Sequence, residues 1–129
     1  MVTDPISDLI TRLINASRVH KETVSLPFSQ MKFAVANALA KEGYIAEVDK
    51  KSKSGGALSM TLAYKAGKPV ISGVKRISKP SRRMYMGVRD IKPVKRGYGL
   101  VMLSTPTGIL SGKEAQKQRV GGEVLFEIW

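Results

Sequence analysis

The chain has 129 residues, a hydrophobic fraction of 43% and no cysteine, so it can bury a core but forms neither a disulfide framework nor a thiolate metal site. Its 22 basic and 10 acidic residues give a formal net charge of +12, and such one-sided charge favours a polyanionic partner. No apolar stretch approaches the roughly 18 residues that cross a bilayer, and the first residues lack a secretory signal pattern, so we expect an intracellular protein.

Helical patterns dominate the start of the chain. Asp4 and Pro5 are typical of a helix start, because the aspartate caps free amides and the proline has none to satisfy. Apolar residues follow at helical spacing, namely Ile6, Leu9, Ile10, Leu13 and Ile14. Ser29 can cap a second helix, whose predicted apolar stripe is Met31, Ala34, Val35, Ala38 and Leu39. Gly43 is a suitable end for this helix.

Strand patterns complete the first half. Alternating apolar and polar residues predict short strands at residues 24–26, 44–50 and 58–64. The first half therefore reads αβαββ, and we expect its two helices to cover one face of a small sheet.

The second half predicts a strand-rich unit with one short helix. Its predicted strands span residues 70–78, 98–105 and 123–129. In the last strand the apolar side chains of Val124, Phe126 and Ile128 alternate with Leu125 and Glu127. The spacing of Ser111 and Glu114 is that of a capping box, which predicts a helix of about two turns closed by Gly121 and Gly122.

These elements predict an α+β fold built of two small α/β subdomains that share an interface. Residues 65–69 have turn composition, so we place the boundary between a subdomain of residues 1–65 and one of residues 66–129. Charge divides in the same place. Residues 1–64 hold 8 basic and 6 acidic residues, a balance of +2, whereas residues 65–129 hold 14 and 4, a balance of +10.

Catalytic and metal-binding patterns are weak. His20 is the only histidine, and it lies in a charged segment that is typical of a surface. Gly108–Lys113 resembles a phosphate loop, but it is one residue short and Glu114 stands where a magnesium-binding hydroxyl is needed. We therefore predict no catalytic residue, no metal and no cofactor.

The basic second half fits RNA recognition better. Proteins read RNA through phosphates, 2′-hydroxyls and unstacked bases, a task for cations, aromatic planes and small hydroxyl groups. Arg82 and Arg83 precede Tyr85, and Lys95 and Arg96 precede Tyr98. A hydroxyl-rich turn at residues 104–108 follows a predicted strand. Each of these signals alone is also compatible with a core tyrosine or an ordinary turn.

The order of these segments resembles the S-eight family of small-subunit ribosomal proteins. The similarity is carried by Asp4–Asn15, Lys41–Ile45, Arg82–Tyr85, Arg96–Thr105, Ser104–Ala115 and Val120–Trp129. It implies two α/β subdomains and direct binding to the central domain of small-subunit ribosomal RNA, where the protein helps to assemble the platform. It also implies a cytoplasmic, ribosomal location, neighbouring small-subunit proteins as partners, no homo-oligomer and, in some members, repression of their own messenger RNA.

The resemblance assigns roles in an irregular RNA stem with an internal loop. The hydroxyl turn would approach the loop, with Tyr85 and the Gly-Gly-Glu step beside it and basic residues contacting phosphates. The predicted RNA-binding residues are Ser104, Thr105, Thr107, Gly108, Tyr85, Arg82, Arg83, Lys95, Arg96, Lys113, Gly121, Gly122 and Glu123. Arg89, Lys92 and Arg119 would add to the affinity.

Three positions depart from the family pattern. Pro106 and Thr107 replace a serine and a lysine, which removes an amide donor and a cation from the turn. We therefore expect neighbouring cations such as Lys113 to matter more. Ile14 stands where arginine is common, and Ser81 where glycine is frequent before the arginine pair.

Three alternatives stay open on sequence alone. A solubilising basic surface would need no partner. A membrane-surface module would need an amphipathic basic helix, which is not seen, and liposome flotation tests for it. A DNA-coating protein would bind duplex DNA as well as structured RNA.

Overall fold

A computed structural model describes residues 5–51, 56–79, 81–92 and 99–129. The chain forms two compact units, Met1–Ile71 and Ser72–Trp129. The α+β class is confirmed, because both units combine helices with antiparallel sheets. The boundary predicted after residue 65 falls within the turn of a small hairpin of the first unit, and as a folding boundary it stays a prediction.

The first unit has the predicted αβαββ order, followed by a small hairpin. Its elements are α1 (Pro5–Arg18), β1 (Thr23–Pro27), α2 (Gln30–Lys41), β2 (Ile45–Lys51), β3 (Ala57–Leu62), β4 (Tyr64–Lys65) and β5 (Lys68–Pro69). The first three strands form an antiparallel sheet in the order β1-β3-β2. Helix α1 contacts β1 and α2, and α2 contacts β2. Leu9, Leu13, Val35 and Leu39 are fully buried between these layers.

Helix α2 begins as predicted but presents a different face. Ser29 caps it, since the Ser29 hydroxyl accepts a hydrogen bond from the Lys32 amide. The predicted stripe is wrong at its first position, because Met31 is 36% exposed whereas Lys32 is only 8% exposed. A buried lysine needs a partner, and Lys32 finds one on α1.

Asp8 is that partner and joins the two helices. Lys32 Nζ lies 3.0 Å from Asp8 Oδ2, and Arg12 Nε lies 2.9 Å from Asp8 Oδ1. Hydrogen bonds from Arg12 and Lys32 lower the pKa of Asp8 below its ordinary value. Lys32 Nζ also donates to the Pro27 carbonyl at the end of β1. The Asp8 carboxylate therefore links α1 to α2, and the Lys32 ammonium links α2 to β1.

The second unit is built around its last strand. Its elements are β6 (Val74–Arg76), β7 (Tyr85–Met86), a 3₁₀ turn (Val88–Asp90), β8 (Leu100–Thr105), β9 (Gly108–Ser111), α3 (Gly112–Gln118) and β10 (Gly122–Ile128). The sheet order is β6-β10-β8-β9, and β7 pairs with β10 beside β6. The strand predicted over residues 70–78 is shorter than expected, because β6 spans only Val74–Arg76, although the Ile77 and Ser78 amides also donate to carbonyls of β10.

The simple alternation predicted for β10 is wrong at Leu125. The pairing register with β8 shifts between Val124 and Phe126, so the pleat does not continue evenly. Leu125 is only 2% exposed, so it is buried together with its neighbours Val124 and Phe126 and does not alternate with them. Val124 packs with Leu103 and Ala115 in a core cluster on the face that α3 covers.

Helix α3 has the predicted start and a different end. Ser111 Oγ accepts from the Glu114 amide at 3.2 Å, as the capping box requires. The prediction that Gly121 and Gly122 close the helix is wrong. Arg119 closes it instead, in the left-handed conformation with φ of 56°, and its amide bonds to carbonyls of the last turn.

Asp8→Asn should lower the free energy of unfolding by about 1 kcal/mol at neutral pH, because the half-exposed carboxylate neutralises a buried ammonium. The folded-state pKa of Asp8 is lowered, so its stabilisation is present above the ordinary value of 3.8 and disappears as the pH falls through the folded value. Urea unfolding of wild type and variant should therefore converge in acid.

Asp49→Asn is the matched control, because Asp49 is an exposed carboxylate on β2. It should leave stability within about 0.5 kcal/mol at every pH. A deficit of Asp8→Asn that stays constant from pH 7 to pH 2 would contradict the role of the ion pair.

Candidate nucleic-acid interface

Three of the predicted RNA-binding residues meet in one row across the sheet of the second unit. Glu123 on β10 lies opposite Tyr85 on β7 and opposite Ser104 on β8. Ser104 in turn lies opposite Ile109 on β9. Residues directly opposite one another in an antiparallel sheet project on the same face. We call these four residues the cross-strand row.

The cross-strand row lies on the face that α3 does not cover. Its neighbours Leu103 and Val124 point the other way, into the core cluster with Ala115 of α3. Tyr85 is 72% exposed, which is unusual for a large aromatic side chain. The arrangement presents an aromatic plane, a carboxylate and a hydroxyl side by side.

An ion pair fixes the centre of the row. Arg83 Nη1 lies 2.9 Å from Glu123 Oε2, and the Glu123 side chain is only 15% exposed. Because the carboxylate is largely covered, it orients the arginine more firmly than a surface pair would. The Glu123 carboxylate thus holds Arg83 in place, a contact that the sequence did not predict.

The loop that carries the arginine pair is closed by its own backbone. Lys79 and Arg82 exchange two backbone hydrogen bonds of 2.9 and 3.0 Å. Ser78 is fully buried, and its hydroxyl contacts both the amide and the carbonyl of Met84. The Val124 amide on β10 donates to the Met84 carbonyl at 2.8 Å. The exposed Arg82 therefore projects from an anchored loop.

The hydroxyl-rich segment forms a two-residue hairpin turn, as Thr105 pairs with Gly108. We call residues 105–108 the threonine turn. Thr105 Oγ1 donates to the Gly108 carbonyl at 2.7 Å and accepts from the Thr107 amide at 3.2 Å. Thr105 thus holds the turn together. Thr107 and Gly108 are exposed, and Gly108 has a φ of 125° that favours glycine.

The glycine pair at the start of β10 permits two close strand contacts. A Cβ on Gly121 would lie 2.3 Å from the Met86 carbonyl oxygen, and one on Gly122 would lie 2.1 Å from the Ser104 carbonyl oxygen. Neither residue contributes a side chain to the row. Their function here is to let β10 enter between β7 and β8, which brings Tyr85 and Ser104 beside Glu123.

The remaining predicted cations are not brought into the row. Lys113 is exposed in the first turn of α3, on the helix that covers the opposite face. Arg89 and Lys92 are exposed in and after the 3₁₀ turn, and Arg119 is exposed after α3. Lys95 and Arg96, with Tyr98, lie outside the described residues.

Sequence reasoning missed two side-chain contacts at this site. It did not pair Arg83 with Glu123, because 40 residues separate them and only strand pairing brings them together. It also missed Gln118 at the end of α3, whose Oε1 accepts from Thr107 Oγ1 at 2.9 Å. No spacing rule in the sequence marks either contact.

Other kinds of site are not seen in the described ranges. Among residues 5–51, 56–79, 81–92 and 99–129, no three His, Cys, Asp or Glu side chains are arranged to hold a metal. Within the same ranges, no helix combines the length and apolar character that crossing a membrane requires.

Comparison with known proteins gives one consistent result. The family model described as "Ribosomal protein S8" matches residues 4–129. The "Small ribosomal subunit protein uS8" of Nitratidesulfovibrio vulgaris is 49% identical over 130 residues, with 100% of each chain covered. Proteins of the same name from Roseiflexus castenholzii and Ruegeria pomeroyi are 46% and 45% identical over 130 residues. The matches cover 99% of this chain and 98% and 100% of theirs.

Gly122→Ala should destabilise the second unit by about 2–3 kcal/mol, because the new Cβ must push the Ser104 backbone away from β10. Thermal unfolding followed by circular dichroism measures the loss. Gly87→Ala is the matched control, since its Cβ would meet only the Asp90 carboxylate at 3.4 Å. If both variants unfold at the wild-type temperature, the close approach of β8 and β10 is not a constraint.

Proposed function

Because the chain belongs to the ribosomal protein S8 family, we propose that it is a structural component of the small ribosomal subunit that binds ribosomal RNA directly and catalyses no reaction. The relatives are named as small-subunit proteins, which supports a ribosomal, cytoplasmic location. The +12 net charge supports a polyanionic partner, since each phosphate that a cation contacts releases a condensed counterion.

The proposed target is an irregular stem with an internal loop in the central domain of small-subunit RNA. Binding there would help to assemble the platform, beside neighbouring ribosomal proteins. A messenger RNA that contains a stem of the same shape would be bound by the same surface, which would allow the protein to repress its own translation. The protein would act as a monomer within the particle.

The cross-strand row is the observation that carries this proposal. A-form RNA hides its base edges, so selective proteins stack on bases that an irregular stem leaves unpaired. Tyr85 on β7 offers an exposed ring for such stacking. Ser104 on β8 offers a hydroxyl on the other side of Glu123. We assign selectivity for an irregular stem to Tyr85 and Ser104.

The cations around the row are assigned to affinity. Arg82 is exposed on its anchored loop and can meet a phosphate from any sequence. Arg83 differs, because Glu123 already holds it at 2.9 Å and the carboxylate offsets the positive charge of the guanidinium. We therefore expect Arg83 to orient the RNA relative to the row. Lys113, Arg119, Lys95 and Arg96 complete the proposed set of phosphate contacts, and Thr107, Gly108, Gly121 and Gly122 complete the proposed interface.

A salt titration of variants tests this division of roles. Tyr85→Ala should weaken binding to the irregular stem by about 1–3 kcal/mol while leaving binding to plain RNA duplex nearly unchanged. Ser104→Ala should cost about 0.5–1.5 kcal/mol for the same stem. Arg82→Ala should weaken both complexes and lower the slope of log K against log salt by about 0.7–0.9. Filter binding at several salt concentrations measures all three.

Arg18→Ala supplies the matched control, since Arg18 is an exposed arginine at the end of α1 in the first unit. It should retain the wild-type preference for the irregular stem. Equal losses for stem and duplex with Tyr85→Ala or Ser104→Ala would contradict the assigned roles. Wild-type protein that prefers neither the stem over duplex DNA nor RNA over anionic liposomes would overturn the function itself.

A further inference from the structure

The threonine turn is tied to the end of α3 by one side-chain hydrogen bond. Thr107 Oγ1 donates to Gln118 Oε1 at 2.9 Å, and both side chains are exposed. A bond between two exposed neutral groups contributes little to stability, because water competes for both. Its structural effect is to fix where the protons of the two groups point.

The hydroxyl protons of both threonines in the threonine turn have acceptors within the protein. The Thr105 hydroxyl donates to the Gly108 carbonyl, and the Thr107 hydroxyl donates to Gln118. The two threonine oxygens lie 3.1 Å apart and either can be the donor between them, but each hydroxyl has a carbonyl acceptor at a shorter distance. A hydroxyl has one proton and two lone pairs. Thr107 Oγ1 therefore keeps acceptor capacity for a group outside the protein.

Gln118 offers hydrogen-bond donors beside the acceptor that Thr107 provides. Because its carbonyl oxygen faces Thr107, its amide nitrogen directs two protons away from that contact. None of the described residues accepts a hydrogen bond from this nitrogen. The pair therefore exposes an acceptor beside a double donor, without net charge. Arg119, the next residue, is an exposed cation.

We propose that Thr107 and Gln118 form a subsite for a ribose 2′-hydroxyl, an inference that rests on the RNA-binding function proposed above. A 2′-hydroxyl donates one hydrogen bond and accepts others, so it matches a neighbouring acceptor and donor. A phosphate oxygen only accepts, and it would leave the Thr107 lone pairs facing negative charge. The phosphate next to that sugar is assigned to Arg119.

The pair makes the turn discriminate RNA from DNA without a cation. Pro106 offers no amide donor and Thr107 no charge, so this end of the hairpin recognises its ligand through neutral groups. Gln118 acts as a specificity-determining residue by direct contact. Thr107 acts both as a contact and as the group that orients the Gln118 amide.

The test couples protein variants to single-atom changes in the RNA. The probe is the irregular stem described above, synthesised as a set in which each member carries one 2′-deoxy nucleotide. Wild type, Gln118→Ala and Thr107→Val are titrated with every member, and Gln30→Ala, an exposed glutamine in the first unit, is the control. Thermal unfolding verifies that the variants fold.

We expect one 2′-deoxy position that weakens wild type and Gln30→Ala by about three- to tenfold. Gln118→Ala and Thr107→Val should weaken binding to the all-ribose stem by a similar factor. The 2′-deoxy change at that position should then cause no further loss of affinity in these two variants. The salt slope should stay at its wild-type value. If every 2′-deoxy position affects Gln118→Ala as much as wild type, the subsite is wrong although the function stands. If wild type does not prefer the stem to duplex RNA, both proposals fail.

Discussion

Strand β10 determines the arrangement of the second unit, because three other strands take their backbone partners from it. Strands β6 and β7 pair along one side and β8 along the other. The Gly121–Gly122 step allows this at its crowded end, where any side chain would overlap a neighbouring carbonyl. Residues from three distant parts of the chain consequently meet at Glu123. The proposed interface exists only while β10 keeps this register.

These strand pairings and ion pairs hold some of the charged side chains at defined positions. The second half carries a balance of +10, yet Arg83 pairs with an acid, Glu123. In the proposed interface this one carboxylate among many cations would reduce the affinity for RNA only slightly, and it holds Arg83 at a fixed place beside Tyr85. The first unit uses the same chemistry internally, where Asp8 neutralises the buried Lys32 and joins two helices. Specific carboxylates thus orient selected cations in both units.

Much of the fold follows from local signals in the sequence. The helix caps at Ser29 and Ser111 are predictable because capping depends on residues three positions apart. The helix and strand order is predictable because apolar periodicity is local as well. The burial of Lys32 was not predictable, because it depends on a carboxylate 24 residues away on another helix. The burial of Leu125 depends on a register shift that only the partner strand reveals.

The candidate site, like the fold, was predictable from the sequence only in part. Hydroxyl, aromatic and basic residue types identified Ser104 and Tyr85, and the family resemblance supplied their order. Tertiary structure then added what the sequence lacked, namely the contact of Arg83 with Glu123 across paired strands and that of Thr107 in the turn with Gln118 at the end of α3. Lys113 is close in sequence to the turn but lies on α3, which covers the opposite face of the sheet, and its contact with RNA stays a prediction.

The anchoring of the cross-strand row has a consequence for how association proceeds. Tyr85 and Ser104 stand on paired backbone, and the Arg82 loop is closed by Lys79 and Ser78, so few protein torsions remain to be frozen on binding. Loss of conformational entropy is a main cost of forming a complex, and in the proposed complex it would fall chiefly on the nucleic acid. The protein would then act as a preformed template, and the internal loop of the RNA would change shape to match it.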